Sequence, residues 1–141
     1  MLKLFLLSFV LFLFLGCEQK PTSGPAKIHW DRDMCDRCVM VLSDRKNTVQ
    51  LQNPTTKKVH KFDDIGCMVL WFEEEKIDFK DTAKIWVTDA ITGEWIDARS
   101  AFYSSENVTP MAFGYSAYAS KESIKSGVEI LTYDEVVKKI K

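Results

Sequence analysis

Histidine is nearly absent: the chain has two, His29 and His60, among 141 residues. No serine–histidine–aspartate arrangement can be assembled around so few imidazoles. The six glycines are scattered singly, so no glycine-rich loop exists to cradle a phosphate. No feature of the sequence marks an enzyme. Basic blocks are missing too. Lys and Arg number 19 against 20 Asp and Glu, a net charge of −1, and the electrostatic footprint of a nucleic-acid binder is lacking. No second Cys/His pair stands at finger spacing, which argues against a zinc finger. The one long apolar run covers residues 4–15, where only Ser8 is polar. As a helix it reaches about 18 Å, short of the ~30 Å hydrocarbon core, so a membrane-spanning helix is disfavoured. The balance of 46% hydrophobic and 28% charged residues suits one folded domain rather than disorder.

That apolar run follows Lys3 and ends at Gly16, the layout of a cleaved export signal. Residues 13–17 (LFLGC) resemble the lipobox of bacterial lipoproteins, in which the cysteine becomes the lipidated first residue. The resemblance implies acyl chains on Cys17, more than one being what makes anchoring stable. It also implies a place in the cell envelope, on a membrane and facing the periplasm or the cell exterior. The plainer alternative is an ordinary signal peptide that ends beside a cysteine. Residues 18–27 (EQKPTSGPAK) hold two prolines, a glycine and no large apolar group, the composition of a tether. The expected division is a signal peptide over 1–16, a lipid-anchored tether over 17–27 and a folded domain over 28–141.

Residues 48–52 (TVQLQ) and 58–62 (KVHKF) alternate around turn chemistry at 53–56 (NPTT), which predicts a hairpin. Asp63 and Asp64 suit a helix start. Apolar residues at 65, 68, 69 and 72 predict that helix over 65–75, and residues 84–88 (KIWVT) a short strand. Residues 94–104 (EWIDARSAFYS) alternate, and 112–119 (AFGYSAYA) reads as another strand. A short helix over 122–126, stopped by Gly127, a strand over 128–132 (VEILT) and a closing helix over 134–140 follow. The order strand, strand, helix, strand thus occurs twice, over about 28–90 and 91–141, and predicts an α+β domain of two halves.

Residues 34–40 read MCDRCVM, two thiols and two thioethers within seven positions. Thiolate and thioether are soft ligands that select Cu(I) over magnesium or calcium. Cys38 and Met40 are two apart, and in an extended segment both side chains leave the same face. Cys35 stands three before Cys38, a spacing that lets both sulfurs point inward at a turn. Three readings stay open on this chemistry: a soft-metal site, a structural Cys35–Cys38 disulfide in an oxidising compartment, or a thiol–disulfide oxidoreductase. The last wants a strand before the motif and a helix after it, whereas 39–42 (VMVL) looks extended.

The C-x-x-C-x-M motif near the mature N-terminus resembles the NosL family of lipoproteins. Pieces that agree in the same order are HKFDDIGCMVLWF, VTDAITGEWIDARSAFY, and Thr109, Pro110 and Met111 followed by SAYASKESIKSGVEILTYDEV. The resemblance implies a Cu(I)-binding lipoprotein that assists maturation of a copper enzyme outside the cytoplasm, nitrous oxide reductase in that family. On the same resemblance a copper transporter is expected as a further partner. It also implies two ββαβ halves related to organomercurial lyase. Cys38 and Met40 fall on the family's metal pair, and Met111 on its later methionine. Cys35 is the other motif cysteine, which leaves it as a ligand, half of a disulfide that holds copper off, or neither.

Plainer roles exist for the rest. Met111 packs irregular gaps well, and Met34 reads as a surface or core residue. Cys67, within the helix, reads as an inert buried thiol. His29 and His60 carry imidazoles that suit copper. The four tryptophans read as core aromatics, with Trp30 near enough to shield the sulfurs. The run from Glu73 to Glu75 reads as a solvated helix end.

Overall fold

Described over residues 24–141 by a computed structural model, the chain folds around two small antiparallel sheets and two helices. The signal peptide expected over 1–16, Cys17 and the tether up to residue 23 lie outside the described residues. The hairpin forms as its turn chemistry dictates. Strands β1 (Val49–Gln52) and β2 (Val59–Phe62) pair Val49 with Phe62 and Leu51 with His60. The Asn53 side-chain oxygen accepts from the N–H groups of Thr55 and Thr56, each at 2.9 Å, and closes the turn. With β3 (Lys84–Thr88) and β4 (Trp95–Asp97), the first sheet runs β2-β1-β3-β4. Strand β1 is buried on both faces, not one. Its core face carries Val49 and Leu51. On the other, Gln50 exchanges two hydrogen bonds with the backbone of Ala26, at 2.8 and 2.9 Å.

Helix α1 spans Ile65–Glu74, and Asp64 caps it by accepting from the Gly66 N–H at 3.0 Å. Ile65, Gly66, Cys67, Met68, Val69, Trp71 and Phe72 are all buried, far more than one apolar stripe. The helix is wedged between neighbours rather than laid on a surface.

The stretch 94–104 is not one strand. The Asp97 carboxylate accepts from the N–H groups of Arg99 and Ser100, each at 3.0 Å, and turns the chain. Trp95 to Asp97 therefore stays with the first sheet as β4, while Phe102–Ser104 (β5) opens the second. That sheet adds β6 (Ser116–Tyr118) and β7 (Ile130–Leu131) in the order β6-β5-β7. The strand expected over 112–119 shortens to β6, because Ala112 and Gly114 take φ of 59° and 82° and break the extended run. The helix expected over 122–126 is a single 3-10 turn at Lys121–Ser123, whose preceding Ser120 makes no capping bond. The closing helix, α2 (Tyr133–Ile140), is well started: Thr132 and Glu135 cap each other reciprocally. The α+β expectation holds, with the second half ordered strand, strand, 3-10 turn, strand, helix. Asp89 joins the sheets, accepting from Ile91 and Thr92 with one oxygen and from the Ala119 N–H with the other.

One loop of the second half reaches across to the start of α1. Met111 donates its N–H to Asp64 Oδ2 at 3.3 Å. The Phe113 ring fills the space where a side chain on Gly66 would stand. Gly66→Ala would ordinarily favour the helix by about 1 kcal/mol. Here the added methyl must displace Phe113, and overpacking of this kind costs roughly 1–3 kcal/mol. Denaturant unfolding should show a net loss of stability; a stabilised variant would contradict the seating of Phe113 on Gly66.

Candidate metal centre

The sulfur-rich segment is a tight double-backed loop. Asp31 and Leu42 are bonded N–H to O at 2.9 Å, and Leu42 returns a bond to Asp33 O at 2.8 Å. Met34 pairs with Val41 as an antiparallel bridge. At the tip, Cys35 N–H donates to Met40 O at 2.8 Å and Val39 N–H to Cys35 O at 3.1 Å. Val39 closes the tip with φ of 62°, a left-handed conformation that a β-branched residue adopts only at a cost. The segment is therefore not extended between Cys38 and Met40, and the period-two argument for a shared face does not apply to it. Met40 is 47% exposed.

Contacts on two sides hold the loop against the rest of the fold. Strand β2 is an edge strand, and the loop covers its free edge. Asp36 N–H donates to Lys61 O at 2.8 Å, and Asp36 Oδ2 accepts from Lys61 N–H at 2.9 Å. The same oxygen lies 3.2 Å from His60 Nδ1, whose ring packs on Trp71 with centroids 4.6 Å apart. Lys61 Nζ reaches Asp33 at 2.6 Å. On the other side, Arg37 forks onto Glu74 at 2.9 and 2.7 Å, so the glutamate run is not simply solvated. His60 thus serves the loop's position, and His29 is bound into the loop base through Asp33.

Clamped this way, the loop delivers Cys35 and Cys38 to α1. One ligand atom from each of Cys35, Cys38, Asp63 and Cys67 lies within 4.8 Å of every other. Cys35 and Cys67 are 2% and 0% exposed, and Cys38 is half-buried at the mouth. All three thiols are free. Cys38 Sγ donates to Asp63 Oδ2 at 3.3 Å. The protonation of the three is divided. Cys35 is drawn down to about 6, because the Cys67 thiol and the N–H groups of Cys38, Asp63 and Arg37 all stabilise its thiolate. Cys67 is pushed well up by donating to Cys35 and by burial. Cys38 is raised to about 11, first by burial. The Arg37 guanidinium also lies against Cys67 and faces the charge that accumulates when thiolates form.

Two of these four residues escaped sequence reasoning. Cys67 was expected to be inert; it stands off the 65–68–69–72 stripe, and a buried thiol away from the apolar face was the available signal. Asp63 was expected to start α1 alongside Asp64. Only Asp64 caps the helix, and Asp63 turns to the sulfurs. Met111 is half-buried on the loop tied to Asp64.

The NosL family model matches residues 25–137. The crystal structure of the copper chaperone NosL from Shewanella denitrificans superposes with a TM-score of 0.66, at 16% identity, over 79% of this chain and 94% of that one. No curated protein matches the chain.

Metal ligation by cysteine releases the thiol proton. Cys35 is already a thiolate at pH 7 and above, whereas Cys38 and Cys67 still hold their protons. If all three bind one soft ion, the logarithm of apparent affinity should rise by about two per pH unit between about pH 7 and 8.5. Competition titrations across that range check it; a slope near one would mean that Cys67 or Cys38 stays protonated and outside the site.

Proposed function

The chain belongs to the NosL family, and on that premise we propose that it is a lipid-anchored, extracytoplasmic Cu(I) metallochaperone. It is a metal-carrying protein and not an enzyme. One observation carries the reading: three thiols converge on one point, two of them buried and one half-exposed. Cu(I) prefers such soft donors. Buried Cys35 and Cys67 retain the ion. Cys38 stands where a partner's sulfur or imidazole can replace it. Met40 lies exposed two residues on, placed to receive or pass the ion at the mouth, and Met111 offers a thioether from the second half. A three-sulfur site of this kind leaves the metal an open side, so transfer proceeds by ligand exchange rather than by opening a cage.

The proposed recipient is a copper enzyme outside the cytoplasm, by family resemblance nitrous oxide reductase, with a copper transporter as a further donor or recipient. Cys17 supplies the lipid anchor in this reading and the residues after it the tether, which ends by Ala26, where the chain is bonded to Gln50 of β1 and the carrier domain begins.

The oxidoreductase reading fares worse on chemistry. Such an enzyme needs an accessible thiol of lowered pKa. Here the lowered thiol, Cys35, is buried, and the accessible one, Cys38, is raised. The motif also sits on a hairpin tip rather than at a helix start. A purely structural Cys35–Cys38 bond would leave Cys67 beside it without a role.

Cu(I) competition titrations on the mature protein test the proposal. Cys38→Ser and Cys67→Ser should each weaken binding by more than about tenfold, as loss of a ligand does. Met40→Leu should slow transfer to an acceptor more than it lowers affinity. Unchanged affinity in both cysteine variants would remove the site.

A further inference from the structure

The route of the chain into the fold singles out one surface of the domain. The first sheet sets Lys61, Gln50, Trp86 and Asp97 side by side in one row across its four strands. On the same face Lys84 stands beside Gln52 and Trp95 beside Thr88. The opposite face gives Val49, Leu51, Phe62, Ile85 and Val87 to the core that α1 shares. Ala26 lies on the first of these faces, bonded to Gln50 in the middle of the row. The chain therefore enters over the sheet, on the side turned away from α1. Trp86 and Trp95 are half-buried on that side, and Lys84 and Lys27 are exposed. Asp97, the acid of the row, spends a carboxylate oxygen on the N–H groups of Arg99 and Ser100. Tryptophan and lysine together are the groups that settle in a lipid headgroup layer, the ring at the interface and the ammonium on the phosphates.

We propose that this outer face of the first sheet, Trp86 and Lys84 with Trp95 and Lys27, rests on the headgroups of a lipid bilayer. The proposal rests on the reading of Cys17 as the lipid anchor. The chain from Cys17 to Gly24 spans at most about 25 Å at full extension. A folded domain of this size measures roughly 35 Å across. So short a tether cannot bring the α1 side round to the lipid, and the face over which the chain enters is the one held there. Tethering also raises the local concentration to about the millimolar range, so a contact of a few side chains, weak on its own, is enough. Seated this way, the sheet stands between the lipid and α1. Cys67, which α1 carries, and the sulfurs gathered on it are then kept on the aqueous side.

The experiment seats the mature protein, isolated from membranes, in vesicles of phosphatidylethanolamine and phosphatidylglycerol, beside the same chain made without acyl groups. Mass spectrometry of the first reads Cys17 itself. A water-soluble amine-acetylating reagent should label Lys84 and Lys27 several-fold more slowly on vesicles than in the unacylated protein. Lys76, just past α1, and Lys138, on the α2 helix that packs against α1, should be labelled at unchanged rates. Brominated phosphatidylglycerol should quench the tryptophan emission, and Trp86→Phe, with its circular dichroism unchanged, should lose most of that quenching. With Cys17 acylated, equal labelling of Lys84 on and off the vesicles, or quenching that survives Trp86→Phe, would overturn the proposal and leave the anchor standing. An unacylated Cys17 would remove the anchor reading and this one with it. Slow labelling of Lys84 already in the unacylated protein would put a second copy of the chain on this face and overturn the proposal as well.

Discussion

The docking of Asp36 on the free edge of β2 is the contact on which the sulfur site depends. Its main chain and carboxylate bond both backbone groups of Lys61, and His60 adds a third contact. Each such bond contributes only about 1 kcal/mol net. Their effect is geometric. An edge strand has unpaired donors and acceptors, and this loop satisfies them while its tip is fixed over α1. Without that register, Cys35 and Cys38 would sit on a surface hairpin, separated from Cys67 by the width of a side chain or more. The Arg37–Glu74 fork is exposed and contributes little to stability, but it restrains the tip from the opposite side.

From this placement the chemistry follows by position. The cluster is graded from inside to outside: Cys67 and Asp63 on the helix and its entry, Cys35 behind the tip, Cys38 at the mouth, Met40 in solvent. Retention and release are thereby given to different residues of one site. One loop of the second half reaches the start of α1, where Phe113 lies on Gly66 and Met111 is tied to the helix cap. Its role is to close over the start of α1, so both halves meet where the metal donors are.

Local chemistry made much of this readable in advance. The hairpin, α1 and β3 follow from alternation, turn residues and a capping aspartate. The sulfur motif stood out by composition alone. What could not be read was long-range or conditional. The Asp97 turn sends β4 and β5 to different sheets, though alternation runs through both. Positive φ at Val39 makes a turn of a stretch whose residues favour strands. Cys67 stood off the apolar stripe of α1, but that the helix is buried on this side as well, with the loop tip against it, is a long-range fact that no local pattern carries. Asp63 was hidden beside Asp64, since two adjacent carboxylates look alike until one is turned inward.

The convergence of three sulfurs is open to direct observation. X-ray absorption at the copper edge of the Cu(I)-loaded protein counts the scatterers around the metal. The account predicts a shell of three sulfurs, falling to two when Cys67 is replaced by serine. A shell dominated by nitrogen or oxygen, or a sulfur count unmoved by that replacement, would contradict it.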